Sequence, residues 1–206
     1  MASSEINDLL RGPLVTWFAS CLEDPNLLSN YNDLVDGVLL HNVYLQIDPE
    51  PLYNAVIPSK GNIITRMKNL QVVVDNMKQF YEEELSHLIL KLPDIISLGK
   101  EPQSFIGEMK LLLLLLLGCA VQCPNKEKFI TNIKALNVQT QLAIVECIKQ
   151  VTDHQNIVIN EDSLDNLDIR YLFAKMRVLS QELDLYRQVI LFYQYYLLTK
   201  CFIKNV

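Results

Sequence analysis

Two cysteines have a spacing that could begin a metal site. Cys119 and Cys123 lie four residues apart, so on a helix they would share one face and offer two thiolates to zinc. A tetrahedral site needs two further ligands, and none of His41, His87 and His154 has a spacing that nominates it. The odd total of five cysteines suits a reducing cytosol. We therefore predict buried free thiols, no bound metal and no cofactor.

Two acidic runs are the other groups that could do chemistry. Asp162, Asp165 and Asp168 recur every third residue, but an EF-hand loop needs oxygen ligands at alternate positions and a central glycine. Glu82–Glu84 places like charges side by side, which is typical of a solvated helix face. Glycine-rich phosphate loops, the H-E-x-x-H zinc motif and the G-x-S-x-G nucleophile elbow are absent from the sequence. We predict no catalytic residues and a protein that is not an enzyme.

Charge and hydropathy limit the classes of partner and the cellular location that we expect. The sequence has 18 Lys and Arg residues and 24 Asp and Glu residues. The resulting net charge of -6 does not favour binding to the phosphate backbone of nucleic acid. The N-terminus carries Glu5 where a secretion signal would be basic, and no cleavable apolar block follows. The leucine-rich stretch 111–121 is well short of the roughly 20 residues that span a bilayer. We expect a cytoplasmic protein without a transmembrane segment, and a helix buried on all sides at 111–121.

Backbone breakers and apolar periodicity predict a chain made of helices. Neither glycine nor proline occurs after Pro124, which favours helix in the last third. Pro13 suits a first helical position, Asn62 and Asn137 are good N-caps, and Gly37 indicates a close helix contact. We therefore predict an all-α fold. The expected helices cover about 13–25, 31–47, 62–92, 104–121, 124–136 and 137–153.

The C-terminal tail has the repeat of a coiled coil. Nine residues alternate spacings of three and four, which is the a/d pattern of about four heptads. We expect weak self-association into a homodimer through 169–197. The predicted organisation is a helical domain at 1–153, a polar linker at 154–168 and a truncated coiled-coil segment at 169–206. The repeat consists of Ile169, Leu172, Met176, Leu179, Leu183, Tyr186, Ile190, Tyr193 and Leu197.

The helix after Asn137 has an unusually wide apolar arc. At about 100° per residue its apolar side chains form two ridges about 120° apart, with Gln141 between them. Either the helix lies between two neighbours of its own domain, or one ridge packs on the core while the other borders a groove. Periodicity alone leaves both readings open. The ridges are Val138, Leu142 and Val145, and Ile144, Ile148 and Val151.

Several stretches together resemble a known family. They are Pro13–Trp17, Leu34–Gly37, Leu45–Pro49, Arg66, Asn69–Leu70, Leu92–Pro93, Leu111–Cys123 and Val151–Thr152. In order and with compatible spacing over about residues 9–155, they resemble the N-terminal Hook domain of the Girdin and Daple branch of Hook-related dynein adaptors. The sequence stops at Val206, so the long coiled coil of that family is almost wholly missing. Either the sequence is a fragment or a short form, or its C-terminal tail packs against something else.

The resemblance implies a fold, a function and partners. The fold is a calponin-homology-like helical domain with an added C-terminal helix, followed by the start of a coiled coil. The function is that of a non-enzymatic adaptor, which takes the C-terminal helix of the dynein light intermediate chain into a hydrophobic groove and links cargo to microtubule-based transport. Microtubules are a further partner, and the location is cytoplasmic and cytoskeleton-associated. The alternative is a calponin-homology-like module that binds microtubules or actin directly. The acidic charge of the chain argues against binding to the acidic microtubule surface.

The resemblance also implies the residues of the groove. Matched outward from Gly118–Val121 without gaps, the groove glutamine of the family corresponds to Gln141, and a groove isoleucine seven residues later corresponds to Ile148. Gln141 is expected to bond to the incoming helix, and Ile148 to anchor it. Ile144 and Val145 are expected as neighbouring partner-binding residues.

Overall fold

The structure is a computed structural model that describes residues 2–153, 156–160, 176–179, 181–183 and 185–190. The protein divides into two units, Met1–Glu161 and Asp162–Val206. The helices of the first half of the first unit are α1 (Ala2–Leu10), α2 (Pro13–Ser20), α3 (Tyr31–Val35), α4 (Val38–Tyr44) and α5 (Ile63–Gln79). They are followed by α6 (Ile95–Lys100), α7 (Ile106–Gln122), α8 (Lys126–Ala135) and α9 (Val138–Thr152).

Strand is rare among the described residues, so the predicted all-α fold is confirmed. A 3-10 turn lies at Pro25–Leu27 and a π-helical turn at Phe80–Glu84. The strands β1 (His87–Ile89) and β2 (Val158–Asn160) form one antiparallel pair, with Leu88 opposite Ile159. Three-residue strands cannot organise the core, which is therefore built by the packing of helices on helices.

The leucine-rich helix α7 is the centre of the core. Every residue from Leu111 to Ala120 is buried, and α7 packs against α1, α2, α5, α6, α8 and α9. A Cβ at Gly118 would overlap the hydroxyl of Tyr81, which donates a hydrogen bond of 3.2 Å to the Leu115 carbonyl. The prediction of a helix buried on all sides is confirmed. Within the described residues no single helix is long and apolar enough to cross a membrane, although α7 and α8, with a bend of 116° between them, pass that test as a pair.

Gly37 divides the single helix that was predicted over 31–47. Its φ of +85° ends α3 and starts α4, because a left-handed residue interrupts the helical ladder. A Cβ at this position would lie 2.8 Å from the Cβ of Asn69 on α5. The prediction of a close helix contact at Gly37 is therefore confirmed, and the prediction of one continuous helix was wrong.

The predicted helix over 62–92 ends earlier than expected. After Gln79 the backbone widens into the π-helical turn, where the Leu85 amide donates to the Phe80 carbonyl, and β1 follows. The strand partner β2 falls within the region predicted as a polar linker, 154–168, and its Val158 and Ile159 are buried. We correct the linker at Val158–Asn160, because pairing with β1 fixes these residues to the first unit. Residues 154, 155 and 161–168 lie outside the described residues, and so do Asp162, Asp165 and Asp168.

The second unit is described only at 176–179, 181–183 and 185–190, which are helical. Five positions of the predicted repeat fall there, and all five side chains are exposed. The other four, Ile169, Leu172, Tyr193 and Leu197, lie outside the described residues. A coiled coil over 169–206 and the three-part division of the protein stay predictions. The exposed positions are Met176, Leu179, Leu183, Tyr186 and Ile190.

Candidate partner-binding site

Helix α9 begins and ends almost where the sequence predicts. The Asn137 side chain accepts a hydrogen bond of 2.9 Å from the Thr140 amide, which satisfies a first-turn donor that has no partner within the helix. The helix ends at Thr152, whose hydroxyl donates to the Ile148 carbonyl at 3.1 Å. On the inner side α9 packs against α7 and α2. These contacts orient the two apolar ridges.

One ridge of α9 belongs to the core. Ile144 is 0% exposed and Val151 is also buried, so both pack on the core cluster around α7. Ile144 is therefore corrected as a partner-binding residue. It could not contact an incoming helix without leaving the core, and its position supports the ridge above it.

The other ridge of α9 faces solvent, and we call it the exposed ridge. Val138, Leu142 and Val145 are 70%, 58% and 43% exposed. They follow the i, i+4, i+7 pattern, so they form a continuous row on one side of the helix. Exposure of large aliphatic side chains to water is unfavourable, so a row of three is a suitable surface for an apolar partner. The sequence did not nominate Val138 or Leu142 as binding residues, although they belonged to a recognised ridge.

Gln141 lies between the two ridges and is already engaged. Its Nε2 donates to the Lys134 carbonyl at 3.0 Å and to the Leu136 carbonyl at 2.7 Å. Both acceptors are at the C-terminal end of α8, where helix carbonyls have no partner within the helix. Gln141 therefore ties α9 to α8, and its Oε1 retains the capacity to accept a hydrogen bond from a partner.

Ile148 and Val145 differ from Ile144 in their exposure. Ile148 is half-buried and packs against the core from its edge, whereas Val145 is a member of the exposed ridge. Ile148 and Gln141 are two turns apart, so they form a border row between core and solvent. The structure thus brings Gln141, Val145 and Ile148 onto one accessible side of α9.

The charged residues of α9 lie outside the exposed ridge. Glu146 and Lys149 form an ion pair of 2.8 Å, and this hydrogen bond raises the pKa of the exposed Lys149 amine. Burial raises the pKa of the Cys147 thiol, which stays protonated at neutral pH. The arrangement is suited to apolar contact with a few hydrogen bonds at its border.

The cysteine pair considered for zinc lies in the core. Cys119 is fully buried and Cys123 is almost fully buried, and burial raises the pKa of both thiols. Zinc binding needs thiolates, which this environment disfavours. Within the part of the sequence that the structure describes, no group of three or more His, Cys, Asp or Glu residues could hold a metal ion.

Known proteins resemble this chain over most of its length. The HOOK domain family matches residues 10–150. Protein Daple of Homo sapiens is 41% identical over 177 residues, which are 81% of this chain and 9% of that protein. Girdin of Homo sapiens is 38% identical over 172 residues, which are 80% of this chain and 9% of that protein. The chain thus spans less than a tenth of the length of these relatives.

A solved structure supports the same assignment. The solution structure of a conserved domain of the mouse HOOK1 protein superposes on this chain with a TM-score of 0.53 at 25% sequence identity. The superposition covers 66% of this chain and 86% of the HOOK1 chain. Helical architecture, family match and identity to relatives agree over the region that contains α9. The chain therefore belongs to the Hook domain family.

Proposed function

We propose that this protein is a non-enzymatic adaptor module that binds the C-terminal helix of the dynein light intermediate chain on α9. The observation that carries the proposal is the exposed ridge of Val138, Leu142 and Val145. An amphipathic helix that covered this ridge would remove its aliphatic side chains from water, at about 25 cal/mol for each Å² buried. The module would thereby link cargo or signalling complexes to microtubule-based transport.

The residues of the site have distinct parts in this proposal. Leu142 and Val145 supply the apolar anchors, and Ile148 extends the contact along the border row. Gln141 offers its Oε1 to the partner while its Nε2 stays on α8. The exposed ridge is about 10 Å long, since seven residues rise 1.5 Å each, and this length matches two turns of an incoming helix.

Self-association through 169–197 belongs to the same proposal. Among the described positions of the repeat, the exposed Met176, Leu179, Leu183, Tyr186 and Ile190 favour pairing with a second helix. A dimer would present two α9 surfaces to a dimeric motor and raise the effective affinity. We expect a cytoplasmic, cytoskeleton-associated location for such a module.

Direct binding to microtubules or actin is the alternative function. The net charge of -6 disfavours the acidic microtubule surface. Co-sedimentation with microtubules and with actin at about 50 and 150 mM salt separates the two functions, since an adaptor that acts only through α9 stays in the supernatant.

Isothermal titration tests the proposal, with a synthetic peptide that copies the C-terminal helix of the light intermediate chain. Leu142→Ala should weaken binding about tenfold or more, because truncating an anchor commonly costs over 1 kcal/mol. Gln139→Ala is the matched control, since Gln139 is an exposed residue of α9 outside both ridges. Equal affinity of the parent and Leu142→Ala, or equal losses in both variants, would exclude α9 as the docking site.

A further inference from the structure

A groove of about 530 Å³ opens between the turn after α4 and the C-terminal end of α5. Buried Tyr44, Ile47 and Phe80 contribute to its floor, and Leu52 stands at its rim and is 67% exposed. An apolar floor beside a strongly exposed leucine is the composition of a peptide-binding groove. None of these residues belongs to α9, so the groove is separate from the exposed ridge.

Carboxylates surround this apolar floor. Asp48, Glu50, Glu83 and Glu84 line the groove, and no lysine, arginine or histidine is among its described lining residues. The Gln79 Nε2 donates to the Glu83 Oε2 at 2.9 Å, which holds that carboxylate in place. Like charges in a concave site focus their potential and attract groups of the opposite sign. The charge of the groove therefore selects for a cationic occupant.

The field of these carboxylates reaches the floor. Burial is the main cause that raises the pKa of the Tyr44 hydroxyl, with further contributions from Cys119, Asp48 and Glu84. Two groove carboxylates on different elements thus act on one buried group.

The wall of the groove is held by a buried asparagine. Asn76 of α5 pairs its side-chain amide with the backbone of Tyr53, accepting from the Tyr53 amide at 3.1 Å and donating to the Tyr53 carbonyl at 2.7 Å. The Tyr44 hydroxyl donates to the Asn76 carbonyl at 2.9 Å. These bonds fix the segment next to Leu52 to α5, and they fix α5 to α4. A prearranged wall loses little conformational entropy when a ligand binds.

The π-helical turn supplies the opposite side. It carries Phe80 on the floor and Glu83 and Glu84 at the rim. Single π-helical turns are rare and occur frequently at functional sites, because the inserted residue redirects the side chains that follow. The side-by-side charges of Glu82–Glu84 predicted a plain solvated helix face, since a distortion of this kind leaves no signal in the sequence pattern.

We propose that this groove binds a basic amphipathic peptide segment of a partner protein. Apolar side chains of the segment pack on Leu52 and Phe80, while its lysine or arginine side chains pair with Glu83, Glu84 and Asp48. The proposal goes beyond docking on α9 and holds or fails independently of it.

Fluorescence anisotropy with the whole chain of 206 residues tests the groove. The probe is a labelled peptide of about four helical turns made of leucine and lysine, with leucines at helical spacing, and a second peptide has glutamine in place of every leucine. Combined Glu83→Gln and Glu84→Gln changes should weaken binding of the first peptide about tenfold or more, and Leu52→Ala about threefold or more. The matched control, Glu5→Gln with Glu101→Gln, removes the same charge from exposed sites on α1 and after α6 and should leave the affinity nearly unchanged.

Three outcomes would overturn the proposal. They are equal binding of the two peptides, an equal loss in the control variant, and no binding of the leucine-lysine peptide at about 1 mM. A calcium titration of the peptide-free protein tests whether the groove is a cation site instead. Stoichiometric calcium binding that is abolished by Glu83→Gln with Glu84→Gln would indicate such a site. Circular dichroism checks that each variant folds. If the double variant unfolds, Glu50→Gln with Leu52→Ala, both at exposed residues, gives the same test.

Discussion

Helices α7 and α9 are both rich in apolar residues but distribute them differently. In α7 every residue from Leu111 to Ala120 is buried, whereas in α9 only Ile144 and Val151 are buried and Val138, Leu142 and Val145 face solvent. Helix α7 packs against α1, α2, α5, α6, α8 and α9, whereas α9 packs on α7, α2 and the end of α8. The same kinds of apolar residue therefore stabilise the fold in one helix and leave an exposed apolar surface in the other.

The largest expected effect comes from truncating one leucine to alanine in each of the two helices. Leu115→Ala in α7 should lower the free energy of unfolding by about 2–5 kcal/mol, because it leaves a cavity in a fully buried site. Leu142→Ala in α9 should change it by less than about 0.5 kcal/mol, since the side chain is mostly exposed. Guanidinium denaturation measures both. Similar losses in the two variants would mean that the exposed ridge is part of the core.

A second contrast concerns the thiols of the same two helices. The Cys119 thiol in α7 is fully buried, and burial raises its pKa well above 9. The Cys147 thiol in α9 is only half-buried, and burial raises its pKa as well. Above about pH 9 the unfolded thiol ionises and the folded thiol stays protonated, so stability that is present at lower pH is lost as the pH rises. The loss approaches about 1.4 kcal/mol per pH unit for one group.

The pH dependence should therefore depend on Cys119 more than on Cys147. Between about pH 8 and pH 10 the unfolding free energy of Cys119→Ala should fall less steeply than that of Cys147→Ala. Denaturation at each pH gives the slopes, which are independent of the volume change in each variant. A steeper fall in Cys119→Ala would reverse the contrast.

The smallest effect concerns the border between the two ridges. Gln141→Ala removes two hydrogen bonds to the end of α8 and should lower the unfolding free energy by about 0.5–1.5 kcal/mol. Gln139→Ala, at an exposed position of the same helix, should leave it unchanged. Thermal unfolding compares the two. Equal midpoints would show that Gln141 has no structural part in joining α9 to α8.

Local signals predicted much of the fold. Pro13 at the start of α2 and the Asn137 cap of α9 appear where expected, because both act through neighbours in sequence. The break at Gly37 was missed because its left-handed conformation is coupled to the distant Asn69. The end of α5 was missed because β1 pairs with β2, which is distant in sequence.

The sequence identified the helix that carries the proposed binding site, but it did not show which ridge of that helix faces solvent. Periodicity separates the two ridges of α9 by angle, but it does not say which of them faces α7. The resemblance indicated Gln141, Ile148, Ile144 and Val145, and the structure moves Ile144 into the core. Only packing on α7 and α2 distinguishes Ile144 from Leu142, two residues of the same helix with similar hydrophobicity.

Methyl NMR of the complex tests the central claim most directly. In the labelled 206-residue chain bound to the light-intermediate-chain peptide, we expect intermolecular NOEs from the peptide to the methyl groups of Leu142 and Val145. We expect none to Ile144 or Leu115, because both are buried. NOEs confined to residues outside α9, or a bound state that contacts Ile144 while Leu142 stays solvated, would contradict the account.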